Sequence, residues 1–189
     1  MGRRFEISKP PRAKRWDVTV RDPESELEGY RADVANWSST ALQLRIGFDD
    51  TAPVIAVCRL ATLFQKYRFG LGDPDMPAKV YWEEMTQPTM LNNSYEWSMD
   101  MPSTGYRRSM LWKPTRKVRI EGVEASTWGQ HYKLGDKTSD AVLAIYTVTS
   151  TTGPVRGDLQ INIDEGGDFE ILVVLSLLAI LESSRREGK

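Results

Sequence analysis

The sequence predicts a mainly β protein: a closed antiparallel barrel of about twelve strands around a buried hydrophobic helix at the C-terminal end. About a dozen β-rich segments recur between turn sequences such as FDDTAP and TTGPVRGD, and the tail GGDFEILVVLSLLAILESSRREGK contains a long apolar run. Turn formers at this spacing are typical of antiparallel strands joined by short connections. Closure would remove exposed strand edges, and the helix would fill the lumen.

Residues 1–15 come first along the chain and are predicted to form a disordered basic arm. The segment is rich in Arg and Lys, contains Pro10 and Pro11, and has Glu6 as its only acid. Like charges and prolines disfavour a packed structure. Residues 16–189 are then predicted to form one barrel domain.

Twelve segments within residues 16–163 have the alternation or the β-branched and aromatic content of strands. They are, in order, Trp16–Val20, Arg31–Trp37, Ala41–Phe48, Val54–Ala61, Lys66–Leu71, Val80–Thr86, Tyr95–Met101, Arg107–Lys113, Lys117–Val123, Ser126–Leu134, Val142–Thr149 and Gly157–Ile163.

The tail is predicted to be a helix over about residues 168–186. From Ile171 to Leu181 only Ser176 is polar. Several residues of this run are β-branched and would suit a strand, but its Leu-rich half and its length favour a helix. Asp168 can cap its start, and two arginines suit its last turn. Eleven apolar residues cover about 16 Å as a helix, roughly half of a bilayer's hydrocarbon core. The helix is therefore expected inside the protein.

Composition excludes several classes of protein. With 25 basic and 26 acidic residues in 189, the chain has no overall attraction to nucleic acid. Cys58 is the single cysteine, so no internal disulfide is possible, and no apolar run follows the basic N-terminus. We therefore expect a cytoplasmic protein, peripheral at membranes if it binds them and not an integral membrane protein.

Five stretches carry a resemblance to a known family: YEWSMDMP, RRSMLWKPT, WGQHYKLGDKTSDAVLAIYT, GDLQINID and the tail. Their order resembles small fungal proteins of the tubby C-terminal-like superfamily, which also includes phospholipid scramblases and LURP-one-related plant proteins. The match covers residues 95–186 best. It implies a twelve-stranded barrel around a hydrophobic C-terminal helix. Tubby domains bind phosphoinositide head groups through basic side chains, but no motif here aligns residue by residue with that pocket, and the scramblase pattern is missing around Cys58.

Catalytic and metal-binding motifs are missing from the sequence. His131 is the only histidine and is expected to have a structural or solvent-facing role. One His and one Cys cannot supply a zinc site of those ligands, and GLGDPD lacks the third glycine of a dinucleotide-binding loop. We therefore predict a non-catalytic protein that needs no cofactor and no metal.

The strongest local charge lies between residues 107 and 119, where six cations occur without an acid. These candidate anion-binding residues are Arg107, Arg108, Lys113, Arg116, Lys117 and Arg119. On a predicted strand, Lys117 and Arg119 would share one face, about 6 to 7 Å apart, and could flank a phosphorylated head group. The alternative is an ordinary solvent-facing strand surface. Trp112 is predicted to lie in the core.

Three functional hypotheses follow from these features. The first is a barrel that binds phosphoinositide or other anionic lipid head groups at a membrane surface. The second is a protein-interaction scaffold whose basic residues contact an acidic protein partner. The third, a small-ligand-binding or enzymatic barrel, is disfavoured because the helix would occupy the lumen that a ligand needs.

Overall fold

The computed structural model describes residues 2–34, 41–60, 66–88 and 93–186, which form twelve strands and one α-helix. The elements are β1 (Arg3–Lys9), β2 (Arg15–Val20), β3 (Gly29–Val34), β4 (Ala41–Ile46), β5 (Val54–Leu60), β6 (Lys66–Leu71), β7 (Tyr81–Thr86), β8 (Tyr95–Asp100), β9 (Arg107–Thr115), β10 (His131–Asp136), β11 (Val142–Ser150), β12 (Val155–Ile161) and α1 (Gly167–Arg186), with a short 3-10 helix at Pro77–Lys79.

The twelve strands form a closed antiparallel barrel. Each strand pairs with its neighbours in sequence, and β1 closes the ring by pairing with β12, from Arg3 opposite Ile161 to Lys9 opposite Val155. The predicted mainly β barrel is confirmed. Because every connection joins antiparallel neighbours, successive connections alternate between the two ends of the barrel.

The α1 helix fills the lumen. All residues from Leu172 to Ile180 are buried, and the strands point apolar side chains at them, as Trp16 and Val18 do from β2. The predicted buried helix is confirmed and begins at Gly167, one residue before the predicted start. An apolar helix surface on all sides is stable here because the barrel wall surrounds it.

Ser176 is the polar exception within the apolar run of α1, and its hydroxyl is fully used. It accepts a hydrogen bond from Trp112 Nε1 at 2.9 Å and donates one to the Val173 carbonyl at 3.0 Å. Trp112 is fully buried, so its predicted place in the core is confirmed. The pair satisfies two polar groups that would otherwise be unpaired in an apolar interior.

The predicted disordered arm is wrong for residues 3–9, which form β1. Phe5 and Ile7 face the core with no exposed surface, while the alternate side chains point outward. Two of the cations that indicated disorder have partners elsewhere in the fold: Arg3 binds Glu170 at 2.8 Å and Arg4 binds Gln160 at 2.8 Å. The segment therefore belongs to the barrel domain.

The predicted strand segments agree with the observed strands in most places, with two exceptions. Residues 117–123 form no strand, and the segment predicted over 126–134 becomes strand only from His131. The predicted strand Arg31–Trp37 ends at Val34 in the structure, while residues 35–37 and Ala61 lie outside the described residues.

Candidate functional site

The six predicted anion-binding residues separate into two groups, of which the first is already neutralised. Arg107 contacts Glu83 through both terminal nitrogens, at 2.8 and 2.5 Å, and lies 3.5 Å from Asp100. Arg108 forms an ion pair with Asp136. Since each guanidinium is held by a carboxylate, neither is available to an incoming anion without first losing a partner.

Lys113 lies on the outer wall of the barrel, apart from the other five predicted residues. It is exposed near the end of β9 and stands opposite Lys133 of β10 in the strand register. Within the described part of the chain, neither lysine has an ion-pair partner. Like charges opposite each other slightly destabilise a sheet, so an anion here would relieve that repulsion.

Arg116, Lys117 and Arg119 lie in the connection between β9 and β10, not on a strand. The Thr115 hydroxyl accepts hydrogen bonds from the backbone N–H groups of Lys117 at 3.3 Å and Val118 at 3.1 Å. This local bonding turns the chain away from the sheet. The predicted pair of cations at strand spacing is therefore wrong, although all three side chains are exposed.

The connection from residue 116 to residue 130 is anchored to the outer face of β11. The backbone N–H of Ile120 donates to Thr147 Oγ1 at 3.1 Å, and that of Ser126 donates to the Val148 carbonyl at 2.8 Å. Ile120 is only 2 % exposed. These contacts cover the outward-facing Thr147, which has no exposed surface. A long connection held this firmly can present side chains in a fixed arrangement.

His131 fixes the end of the same connection. Its Nδ1 accepts a hydrogen bond from the backbone N–H of Val148 at 3.0 Å, and its side chain is buried. Burial lowers the pKa of His131, and the nearby Arg119 lowers it further. The imidazole therefore has the structural role expected of it and is neutral at physiological pH.

An open groove of about 800 Å³ lies between the two ends of this connection. Arg116, Arg119 and Trp128 line it, and Trp128 is 89 % exposed. The next residue, Gly129, packs so closely on β11 that a Cβ there would lie 2.6 Å from Val148 Cβ. The groove thus combines two guanidinium groups with a large exposed aromatic ring.

The groove belongs to one end of the barrel, and the two ends differ in charge. We call the groove end the basic rim, defined by cations in its connections and in the last turn of α1: Arg12, Lys14, Arg116, Lys117, Arg119, Arg185 and Arg186. The β9–β10 connection at this end also contains two acids, Glu121 and Glu124. We call the opposite end the acidic rim, defined by the carboxylates of its connections: Asp22, Glu24, Glu26, Glu28, Asp49, Asp50, Asp73, Asp75, Asp140, Asp164 and Glu165.

The cations of the basic rim are largely unpaired. Of the seven cations that define this rim, only Arg185 and Arg186 form ion pairs within the described residues, both with Glu182. By contrast, two of the three basic residues in the acidic-rim connections are paired: Arg21 with Glu6 and Lys137 with Glu96. The basic rim therefore presents positive charge that the fold itself does not use.

Sequence reasoning does not place three residues at this end of the barrel. Arg12 and Lys14 lie in the predicted arm, and Trp128 lies within a predicted strand. A usable signal is present in the sequence, because alternate connections of an antiparallel barrel share one end. Sorting the turn sequences into two alternating sets places the acid-rich turns in one set, whereas the charged connections of the other set are residues 10–14 and 116–130, which are rich in cations.

Two further findings concern the described residues alone. Nowhere among them are three His, Cys, Asp or Glu side chains grouped so as to hold a metal ion. None of the helices they form combines the length and apolarity needed to cross a membrane.

Comparison of the chain with protein-family models, curated proteins and solved structures finds no match. The resemblance to the tubby C-terminal-like superfamily therefore stays a prediction.

Proposed function

We propose that this chain is a non-catalytic, tubby-like domain that docks its basic rim on an anionic membrane surface and binds lipid head groups there. The observation that carries the proposal is the exposed Trp128 beside Arg116 and Arg119 at the end of the barrel whose cations are largely unpaired. Cations attract anionic lipids, and an amphipathic indole partitions to the interface between head groups and acyl chains.

The charge difference between the rims supports a defined orientation. Each cation near an anionic surface contributes about 1 kcal/mol of attraction. Carboxylates at the acidic rim are repelled by the same surface, so the field turns the basic rim toward the membrane. The overall charge of −1 hides this effect, because it adds the two ends together.

The groove also supports a preference among head groups. Arg116 and Arg119 lie in a connection that hydrogen bonds hold to β11, so their backbone positions are fixed. Two guanidinium groups in a fixed arrangement can contact several phosphate oxygens at once, as a phosphoinositide offers. We therefore expect tighter binding to phosphoinositide vesicles than to phosphatidylserine vesicles of equal surface charge.

The test is vesicle flotation with matched variants at the two rims. Arg116→Gln with Arg119→Gln should lower affinity for anionic vesicles by roughly 30-fold, since two contacts of about 1 kcal/mol are lost. Trp128→Ala should weaken binding several-fold. The controls are Lys79→Gln and Tyr106→Ala, an exposed cation and an exposed aromatic residue of the acidic-rim connections, and both should bind as the unmodified chain does.

Equal losses in the groove variants and in the controls would contradict the proposal, as would failure of the intact chain to bind anionic vesicles at low salt. In the second case, an acidic protein partner becomes the better account of the basic rim. If the double arginine variant loses affinity for vesicles but Trp128→Ala binds as the unmodified chain does, the indole does not enter the interface.

A further inference from the structure

A second concave site lies at the basic rim, beside the last turn of α1. It is a cavity of about 400 Å³ between the β1–β2 connection and the turn before β12. Its apolar wall includes Pro10, Pro11, Val34 and Val155. The volume is within the range of small-molecule sites, which are typically apolar with a few convergent polar groups.

The polar wall of this cavity has an excess of cations. Among the described residues it is lined by Lys9, Arg12, Lys14, Arg185 and Arg186, with Glu182 as the single acid. Glu182 is fully buried and accepts hydrogen bonds from Trp16 Nε1 at 3.1 Å and from Arg185 at 2.6 Å. One carboxylate that is already well satisfied cannot neutralise five positive groups.

Lys9 is the cation with unused hydrogen-bonding capacity. Its side chain is 5 % exposed, and its Nζ lies 4.8 Å from the centre of the Trp16 ring and 3.3 Å from Glu182 Oε2. Glu182 is its one ion-pair partner among the described residues, which leaves at least two of its three N–H donors without an acceptor there. An ammonium group has three donors, so a buried Lys9 at the cavity wall lacks acceptors.

The pKa values of Lys9 and Glu182 are both lowered, but for different reasons. Burial lowers the pKa of Lys9; Glu182 raises it in part, and Arg185 and Arg186 lower it further. Burial alone would raise the pKa of Glu182, but the hydrogen bond from Arg185 and the charge of Lys9 lower it to about 2. Glu182 thus has several cations near it, whereas Lys9 has one partner and two repelling neighbours.

Arg12 is held in a backbone conformation that favours glycine. The Ala13 N–H donates to the Pro10 carbonyl at 3.1 Å and closes a four-residue turn, in which Arg12 is the third residue with φ of 62°. With Pro11 at the second position, this is the turn type in which glycine normally occupies the third. A non-glycine residue in this conformation motivates a functional hypothesis, because such residues cluster at ligand-binding and active sites.

We propose that this cavity binds a small organic anion, with an oxyanion head group against Lys9 and Arg12 and a short apolar body along the Pro10, Pro11 and Val155 wall. Such a ligand supplies the acceptors that Lys9 lacks and offsets the excess positive charge. The site stands apart from the β9–β10 groove, and the inference does not rest on membrane docking.

The test uses the full chain and three probes with the same alkyl body: octyl phosphate, octanoate and octanol, measured by isothermal titration calorimetry. Octyl phosphate or octanoate should bind at least tenfold more tightly than octanol, and inorganic phosphate should bind more weakly than octyl phosphate. The order of the first two identifies the head group as phosphate or carboxylate. Equal affinity for octanol and for both anions would overturn the proposal, since the cations would then have no part in binding.

The decisive variant is Arg12→Gly, because it removes the cation and relaxes the turn at the same time. It should weaken binding of the preferred anion at least fivefold while leaving the melting temperature unchanged or raised, a combination that a purely structural role does not produce. Lys79→Gln is the control: it removes an exposed cation that lies outside both the cavity and the β9–β10 groove, and it should keep full affinity. Undiminished binding in Arg12→Gly, or an equal loss in Lys79→Gln, would overturn the proposal.

Discussion

Both rims of the barrel consist of connections between antiparallel strands, but their charged residues have different structural roles. At the acidic rim, Asp side chains accept hydrogen bonds from backbone N–H groups two residues ahead: Asp22 from Glu24 at 3.0 Å, Asp49 from Thr51 at 2.8 Å, Asp73 from Asp75 at 2.9 Å and Asp164 from Gly166 at 3.2 Å. These bonds form the turns themselves.

Most cations of the basic rim have no such structural contact. Within the described residues, the side chains of Arg12, Lys14, Arg116, Lys117 and Arg119 make no ion pair and no hydrogen bond to the fold. Turn formation accounts for much of the charge at the acidic rim, whereas most cations of the basic rim have no contact that stabilises the fold. Cations that have no partner in the fold are available to bind a ligand or an anionic surface.

Substitution of Glu182, whose carboxylate holds the end of α1 at the basic rim, is expected to lower the stability of the fold most. Glu182→Gln should lower the free energy of unfolding at neutral pH by roughly 3 kcal/mol, because Lys9, Arg185 and Arg186 lose their buried partner. Chemical denaturation followed by circular dichroism would measure this loss.

The same carboxylate should dominate the acid sensitivity of the fold. Its pKa is about 2 in the folded state against an ordinary value of 4.5, so its contribution is complete above about pH 4.5 and is lost as the pH falls toward 2. Glu182→Gln should flatten this part of the stability profile, while Glu26→Gln, an exposed carboxyl of the acidic rim, should not. A variant profile with an unchanged acid limb would contradict the role assigned to Glu182.

A smaller effect separates the rims directly. Asp73→Ala should destabilise the fold by about 0.5 to 1.5 kcal/mol, since the hydrogen bond to the Asp75 N–H is lost from its turn. Lys117→Ala, the corresponding truncation at the basic rim, should leave the denaturation midpoint unchanged. Were the lysine variant as destabilised as the aspartate variant, the distinction between structural and unused charge would be wrong.

The barrel and its helix could be predicted because their signals are local. Hydrophobic alternation, turn residues and one apolar run can each be recognised within a window of about a dozen residues. The first strand was missed because the signal of Phe5 and Ile7 is short and lies among cations, and its closing partner β12 is distant in sequence. The false strand arose from a real pattern: Ile120 is buried, but against Thr147 on the outside of β11 and not in the lumen.

The candidate site was less accessible to sequence reasoning. Four of the six predicted cations remain exposed and without ion pairs in the described structure, but Arg107 and Arg108 meet carboxylates of β7 and β10 that only the barrel register brings close. The exposure of Trp128 follows from the path of the β9–β10 connection, which the sequence pattern assigned to a strand. The net charge of the chain gave no indication of the site, because it sums the opposite charges of the two rims.

Whether the basic rim rather than the acidic rim meets a membrane can be tested with one environment-sensitive fluorophore at two positions. Gln130→Cys places it at the exposed end of the β9–β10 groove, and Thr104→Cys places it in an exposed connection of the acidic rim, while Cys58 is buried and protected from labelling. On addition of anionic vesicles, we expect a blue shift of the emission at position 130 that salt reverses, and no shift at position 104. A shift confined to position 104, or equal shifts at both positions, would contradict it.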